Sequence, residues 1–264
     1  MYHEGELAVQ RRAGVATDAA RVGRIIGDAV PASFAAFLAR REFVIAGTLD
    51  GDGAVTASIL TGAPGFAHAT DPRNVRIAPA GGHRRRVFAD IAADPRIGLL
   101  AIDFAARRRI RVNGIASRDG DALRVAASEV YGNCPQYIAP HDAVTLPAAL
   151  HGIAPAASLT GEQRAWIESA ATFFIASAHP SGGADVSHRG GAPGFVRAEE
   201  RRIVWPDYSG NNMFNTLGNL AVNPRCGLLF LDFERGRTLQ VGGRASVLWD
   251  GESRRIEVAV ETVA

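Results

Sequence analysis

The sequence predicts a mainly β protein with flanking helices, an α+β fold built from two tandem copies of one small antiparallel barrel. The first observation is an internal repeat: residues 62–117 and 191–246 align at a constant offset of 129, with 22 of 56 positions identical. The second is that short predicted strands follow one another through hairpin turns, without the strand–helix alternation of a doubly wound sheet. A long period that occurs only twice indicates two domains rather than a solenoid.

Residues 1–42 are predicted to form a polar arm followed by helix. Thr17 and Asp18 are candidate caps for a helix through Ile26, and Pro31 opens another helix through Arg41. In the second copy, a capping-box pattern of Thr160 with Gln163 precedes the corresponding helix. Strands are predicted over 42–48, 74–77, 97–104, 109–117 and 119–131, and over 172–178, 203–205, 226–233 and 238–248.

The chain is predicted to divide into three parts. Residues 1–138 form the N-terminal repeat with its helical arm, and residues 160–264 form the C-terminal repeat. Residues 139–159, rich in Ala, Pro and His, form a linker between them. In each copy a second helix is predicted to end just before a proline, at Pro95 and Pro224.

The composition narrows the function classes. All 29 basic residues are arginine, which excludes every mechanism that needs a lysine, and a net charge of +2 with scattered arginines predicts no nucleic-acid partner. No apolar run approaches the ~20 residues of a membrane span, and two cysteines suit a reducing compartment, so a cytoplasmic protein without a membrane partner is predicted. The histidines and cysteines do not have metal-ligand spacing, so no metal site is predicted.

Functional signal is expected where the two copies diverge, and the first such place is the second strand. Copy two has Ser187, His188 and Arg189 where copy one has Ser58, Ile59 and Leu60. An arginine inside a strand, followed by two glycines, suits a bound anion. An ordinary surface arginine on an edge strand is the alternative.

The second place is the turn into the second helix. Gly210, Asn211 and Asn212 precede the helix that contains Asn215, and such a turn leaves the first helical N–H groups available to a phosphate. Trp205 and Tyr208 beside it could pack against a planar ring. The alternative is ordinary helix capping with core aromatics.

The third place is a hairpin strand of the first copy. Alternation places Arg109 and Arg111 on one face, where they could reach a ligand across the interface between the copies. A solvated strand face is equally consistent with the pattern. Cys134 lies in a tight turn that could present its thiol.

These segments together resemble a known family. The runs 187–191, 194–195, 205–219 and 223–230, with 3–5, 108–114 and 131–138 of the first copy, resemble flavin-nucleotide-binding proteins of the pyridoxamine 5′-phosphate oxidase-like split-barrel superfamily. The resemblance implies two FMN-binding split barrels that pair as an intrachain pseudo-dimer, with FMN in the groove between them. It also implies an FMN-dependent oxidoreductase that acts on a small-molecule substrate or reductant, as a monomer or a homodimer.

Carried over residue by residue, the resemblance implies a set of cofactor-binding positions in the second copy. These are Ser187, His188, Arg189, Trp205, Asp207, Tyr208, Gly210, Asn211, Asn212 and Asn215, with Arg109, Arg111 and Asn133 from the first copy. No catalytic acid or base is assigned. Family members that oxidise vitamin B6 use a lysine on the phosphate, which this chain lacks, so that activity is not expected. The alternatives are a non-catalytic flavin carrier or sensor, and a split barrel that binds deazaflavin or haem.

Overall fold

The computed structural model describes residues 2–138 and 150–264, so residues 139–149 of the predicted linker lie outside the described residues. The α-helices of the described residues are α1 (Glu4–Arg12), α2 (Ala16–Val22), α3 (Ala32–Leu38), α4 (Arg84–Ala93), α5 (Gly161–Ser169) and α6 (Asn215–Val222), and a 3-10 turn, Gly23–Ile25, follows α2. The strands of the first copy are β1 (Phe43–Leu49), β2 (Val55–Thr61), β3 (Ala67–Asp71), β4 (Asn74–Ile77), β5 (Gly81–Gly82), β6 (Arg96–Asp103), β7 (Arg108–Asp119) and β8 (Ala122–Gly132). The strands of the second copy are β9 (Thr172–Ala178), β10 (Ala184–Gly190), β11 (Arg197–Glu199), β12 (Arg202–Pro206), β13 (Arg225–Asp232), β14 (Arg237–Asp250) and β15 (Ser253–Val263).

Each copy folds into one curled antiparallel sheet, and the two sheets share a strand order. The first runs β3-β4-β8-β7-β6-β1-β2-β5 and the second β11-β12-β15-β14-β13-β9-β10, so only β5 lacks a counterpart among the described strands. One bulge also corresponds, because the register shifts between Asn113 and Gly114 and again between Gly242 and Gly243. The predicted fold class of two tandem split barrels is confirmed.

The described residues form three hydrophobic cores, one inside each barrel and one between them. Strand β1 is buried along its whole length because its alternate residues enter different cores: Val44 packs inside the first barrel and Ile45 between the barrels. In the same way Phe173 of β9 packs inside the second barrel and Phe174 between the barrels. The sharing of one core makes the two copies a pseudo-dimer within one chain.

The repeated Gly-Leu-Leu sequences allow the two sheets to approach closely. A Cβ added at Gly98 would lie 2.7 Å from the Asp185 Cα, and one added at Gly227 would lie 2.6 Å from the Val55 carbonyl oxygen. Such distances leave no room for a side chain, so the glycines are required by backbone-to-backbone contact between the copies.

The N-terminal arm differs from its prediction. Residues 4–12 form the helix α1, capped by a box in which the His3 ring accepts from Gly5 N and the Glu6 carboxylate accepts from His3 N. The following helix α2 starts after Val15 rather than at a Thr17 or Asp18 cap. The arm packs on α6 of the second copy, and its Val9 joins that copy's core.

The predicted helix ends before Pro95 and Pro224 are confirmed by α4 and α6, whereas α3 ends at Leu38 and not at the predicted Arg41. The Thr160–Gln163 capping box at the start of α5 is confirmed. Strand β15, which completes the second sheet, was not predicted. Within residues 2–138 and 150–264, no helix combines the length and the apolar character needed to cross a membrane.

Candidate functional site

A groove opens between the copies where β10 and the chain after β12 face β7 and the segment after β8. The residues that line this groove include ten of the predicted cofactor positions: Arg109, Arg111, Asn133, His188, Arg189, Trp205, Asp207, Tyr208, Gly210 and Asn211. The other three, Ser187, Asn212 and Asn215, line an adjoining recess at the start of α6. The chain thus brings all of the predicted positions together around one continuous site.

No acidic side chain of the described residues forms an ion pair with the guanidinium of Arg189. Its guanidinium makes no hydrogen bond or ion pair with a described residue, and its Nε is buried without a partner. Burial lowers the pKa of Arg189, as does Arg111, whereas the carboxylate of Asp207 opposes the shift. That carboxylate is itself paired with Arg254 at 2.9 Å. An anion in the groove would complete the coordination of Arg189.

Arg109 reaches the same groove from the first copy. Its Nη1 donates to Nδ1 of His188 over 2.8 Å and its Nη2 donates to the carbonyl of Cys134 over 2.9 Å. Burial, with repulsion from Arg111 and Arg189, lowers the pKa of Arg109 to about 9. Arg109 is thus charged at neutral pH, and no carboxylate of the described residues pairs with it. Two such guanidiniums suit a phosphate monoester, which carries nearly two negative charges.

Arg111 and Ser187 serve the interface between the copies instead. The Arg111 Nη1 contacts Asp185 at 3.0 Å, and its Nη2 donates to the Ser187 hydroxyl over 2.6 Å. The Thr216 hydroxyl also donates to Ser187. Burial opposes the charge on Arg111, but Asp185 and Tyr131 outweigh burial and raise its pKa. This network forms a fixed wall of the groove, a role that the sequence did not indicate.

The cradle turn, residues 210–214, leads from the groove into α6. Phe214 occupies the N-cap position without a side-chain cap, so the first N–H groups of α6 are left for another acceptor. Asn212 and Phe214 are left-handed, with φ of 61° and 60°, a conformation that costs non-glycine residues about 1–2 kcal/mol each. The Asn211 side chain stabilises the turn by accepting from Met213 N. Strain of this kind persists only where surrounding contacts hold it.

Two of the aromatic residues play different parts. Trp205 is buried in the second core, edge-on to Phe173 with ring centroids 5.0 Å apart. Its Nε1 has no hydrogen-bond partner and is the atom of this side chain that could donate to a ligand. Tyr208 is 41% exposed and stacks on Tyr137 of the first copy at 5.1 Å. A planar ring bound in the groove would replace part of this stack. Tyr137 belongs to the run 131–138 that resembles the family, but it was not among the predicted cofactor positions; its backbone is left-handed, with φ of 64°.

Buried polar atoms without partners concentrate at this groove. Within the described residues, seven buried side-chain nitrogen or oxygen atoms lack a hydrogen bond, and five of them belong to groove residues. These are the Nε atoms of Arg109, Arg111 and Arg189, Nε1 of Trp205 and Oδ1 of Asn133. Each unpaired group costs about 1–3 kcal/mol, so such a concentration indicates a site completed by a ligand. Four donors and one acceptor suit an anionic ligand with many acceptors.

The equivalent groove of the first copy is closed by its own side chains and backbone. Strand β5 pairs with β2, placing Gly82 beside Leu60, the counterpart of Arg189. The next residue after β5 is His83. Its ring accepts a hydrogen bond from Ile59 N and contacts the Thr238 hydroxyl at 3.0 Å. Gln240, the counterpart of Arg111, donates its amide to the carbonyl of residue 57. Apolar and self-paired groups thus occupy the positions that are cationic in the open groove.

A separate cluster of His3, Glu4 and His179 brings metal-ligand types together away from the groove. His3 Nδ1 accepts from Gly5 N, and His179 Nδ1 accepts from Ser181 N, so the proton of each neutral ring is on Nε2. Those protons are donated to Asn219 and to Glu4. Neither Nε2 therefore offers a lone pair to a metal ion, and the cluster anchors α1.

Comparisons with known proteins agree with this architecture. A sequence model described as pyridoxamine 5′-phosphate oxidase matches residues 30–151 and again residues 159–260. No curated protein matches the chain.

Several solved structures resemble one half of the chain. HupZ from Group A Streptococcus is 16% identical with a TM-score of 0.33, covering 39% of this chain and 90% of its own. A candidate pyridoxamine 5′-phosphate oxidase from Lactobacillus delbrueckii is 14% identical with a TM-score of 0.35, covering 40% and 93%. An F420 reductase is 17% identical with a TM-score of 0.29, covering 40% and 100%.

Proposed function

Because the chain belongs to the pyridoxamine 5′-phosphate oxidase family, we propose that it binds FMN in the open groove and acts as a flavin-dependent oxidoreductase. The observation that carries the proposal is the concentration of partnerless buried polar atoms around Arg109 and Arg189. Its substrate is proposed to be other than a vitamin B6 phosphate, because the chain has no lysine to hold that phosphate.

The residues present fit a flavin nucleotide with its phosphate at the cradle turn. Arg189 and the uncapped N–H groups of α6 would bind the phosphate, whose two charges balance Arg189 and Arg109. Trp205 Nε1 and the Asn133 Oδ1 would meet polar edges of the flavin, and Tyr137 and Tyr208 would pack against its ring. A bound flavin supplies hydride and electron transfer, while these residues bind it and orient it.

Binding is tested by titrating the protein into FMN and following the quenching of flavin fluorescence, with riboflavin as the phosphate-free comparison. Arg189→Ala is expected to weaken FMN binding about 100-fold, because charge-assisted hydrogen bonds to phosphate contribute about 3 kcal/mol. Leu60→Met, at the matched position of the closed groove, is expected to leave FMN affinity unchanged. The absence of FMN binding, or equal effects of the two substitutions, would sink the proposal.

Redox activity is tested separately from binding. The FMN-loaded protein is expected to consume NADH or NADPH under air faster than free FMN at the same concentration. If FMN binds tightly and neither donor is consumed, the alternative of a flavin carrier or sensor replaces the oxidoreductase. Native mass spectrometry of the purified protein distinguishes FMN from a deazaflavin or haem by mass and reports whether one chain or two carry it.

A further inference from the structure

The N-terminal helix reaches the cradle turn from behind. Gln10, which is 1% exposed, donates its side-chain amide to the carbonyl oxygen of Met213 over 2.9 Å. On the same helix Glu6 accepts from the Asn215 amide over 2.7 Å. These two contacts join the arm to the turn and to the first residue of α6, although neither arm residue lines the groove or the recess beside it.

Met213 is the residue at which the turn most needs an outside contact. It lies between Asn212 and Phe214, the two left-handed residues, and its own side chain is fully buried. Asn211 holds the Met213 N–H, and Gln10 holds the Met213 carbonyl. With both polar groups of that peptide segment engaged, the strained turn is fixed on either side of Met213.

The arm is fitted to the copy with the open groove. A Cβ added at Gly5 would lie 2.2 Å from the Gly218 carbonyl oxygen, and one added at Gly218 would lie 2.4 Å from Glu6 Cγ. Helices α1 and α6 therefore touch backbone to backbone. The counterpart of Gly218 in α4 is Ala89, whose methyl group would prevent the same approach. In the second copy, where the arm docks, the cradle turn is open. In the first copy, strand β5 closes the corresponding turn.

We propose that Gln10 is a positioning residue for phosphate recognition: through the Met213 carbonyl it holds the cradle turn in the shape that presents the N–H groups of α6. This inference rests on the proposed binding of FMN in the groove. It assigns to the N-terminal arm a part in cofactor selection, in addition to its packing in the second core.

The test compares FMN with riboflavin, because the cradle turn faces the phosphate and not the ring. Gln10→Met removes the donor at nearly constant size, and Gln10→Ala is a second variant if the first does not fold. Each is expected to lower FMN affinity about tenfold and to leave riboflavin affinity unchanged, since an unpaired buried carbonyl lets the strained turn relax. The selectivity for FMN over riboflavin therefore falls about tenfold.

Two control variants on the same helix separate positioning from stability. Val9→Ala removes core packing of the arm and is expected to lower the melting temperature with little change in selectivity. Arg11→Ala alters an exposed position and is expected to change neither. The inference is overturned if the Gln10 variants keep the wild-type selectivity, or if Val9→Ala reduces it equally. The proposed function fails in a different way, if the unaltered protein itself does not prefer FMN to riboflavin.

Discussion

The buried network between the copies makes a strong prediction about stability. Asp185 is 4% exposed and accepts hydrogen bonds from Arg111, Asn113, Tyr131 and Ser187. The substitution Asp185→Asn keeps the shape of the side chain but leaves the Arg111 guanidinium buried without a counter-charge. Loss of one partner from a buried ion pair costs about 3–5 kcal/mol. For a chain of this length, that corresponds to a fall in melting temperature of roughly 6–20 °C.

The assay is equilibrium unfolding in urea, followed by tryptophan fluorescence, with Trp205 as a reporter in the second core. A matched control is Asp18→Asn, which breaks the exposed pair of Asp18 with Arg21 and is expected to cost less than about 0.5 kcal/mol. The double variant Asp185→Asn with Arg111→Met is expected to lose less unfolding free energy than the two single variants added together, by about 2 kcal/mol or more, because no charge remains unpaired. A cost below about 1 kcal/mol for Asp185→Asn, or additive single variants, would refute the reasoning.

Two further predictions concern the arm and the closed groove. Burial raises the pKa of Glu6 to about 7, so the stability that this side chain contributes is full below pH 4.5 and is lost as pH rises through 7. Between pH 4.5 and 8, the free energy of unfolding of Glu6→Gln should therefore rise by about 3 kcal/mol relative to that of the wild type. Free energies of unfolding that change in parallel with pH for the two proteins would contradict this prediction. Gly82→Ala should cost about 2 kcal/mol or more in urea unfolding, because φ is +71° and the new Cβ would lie 2.3 Å from the Ile59 carbonyl oxygen. Gly120→Ala, with φ of +61° in open space, is the control at about 1 kcal/mol, and equal costs for the two would count against the closed groove.

The sheet architecture was predictable because its signals are local and occur twice. Strand β9, for example, is a short apolar run between helix α5 and a turn that contains Gly182 and Gly183, and its predicted range of 172–178 matches the structure. Strand β15 was missed for a different reason. The hairpin before it turns at Asp250–Ser253, which lies 131 positions after the turn at Asp119–Ala122, so an alignment at a constant offset of 129 loses it.

The arm could not be predicted from periodicity. The buried face of α1 consists of Gly5, Glu6, Val9 and Gln10, which contains one large apolar side chain, so no hydrophobic stripe marks a helix. Its N-cap is His3, outside the usual set of Ser, Thr, Asp and Asn. Burial of these polar residues is stabilised by partners more than 200 positions away, such as Met213 and Asn215, which local sequence does not reveal.

Divergence between the copies identified the positions of the candidate site but not their contacts. The sequence difference between Arg189 and Leu60 corresponds to a difference in the structure, because the groove is open at Arg189 and closed at Leu60. The engagement of Ser187 by Arg111 and Thr216 depends on how closely the two sheets pack, which the repeat does not specify. The assignment of these positions to a flavin stays a prediction until binding is measured.

The docking of the arm also sets an order of events during synthesis. Gln10 leaves the ribosome 203 residues before its acceptor Met213. At roughly 5–20 residues per second, the arm waits on the order of 10–40 seconds for its partner. The first barrel can be complete within that interval, whereas the cradle turn gains its support only once Met213 has been synthesised. A nascent chain that lacks Met213 therefore has no supported cradle turn.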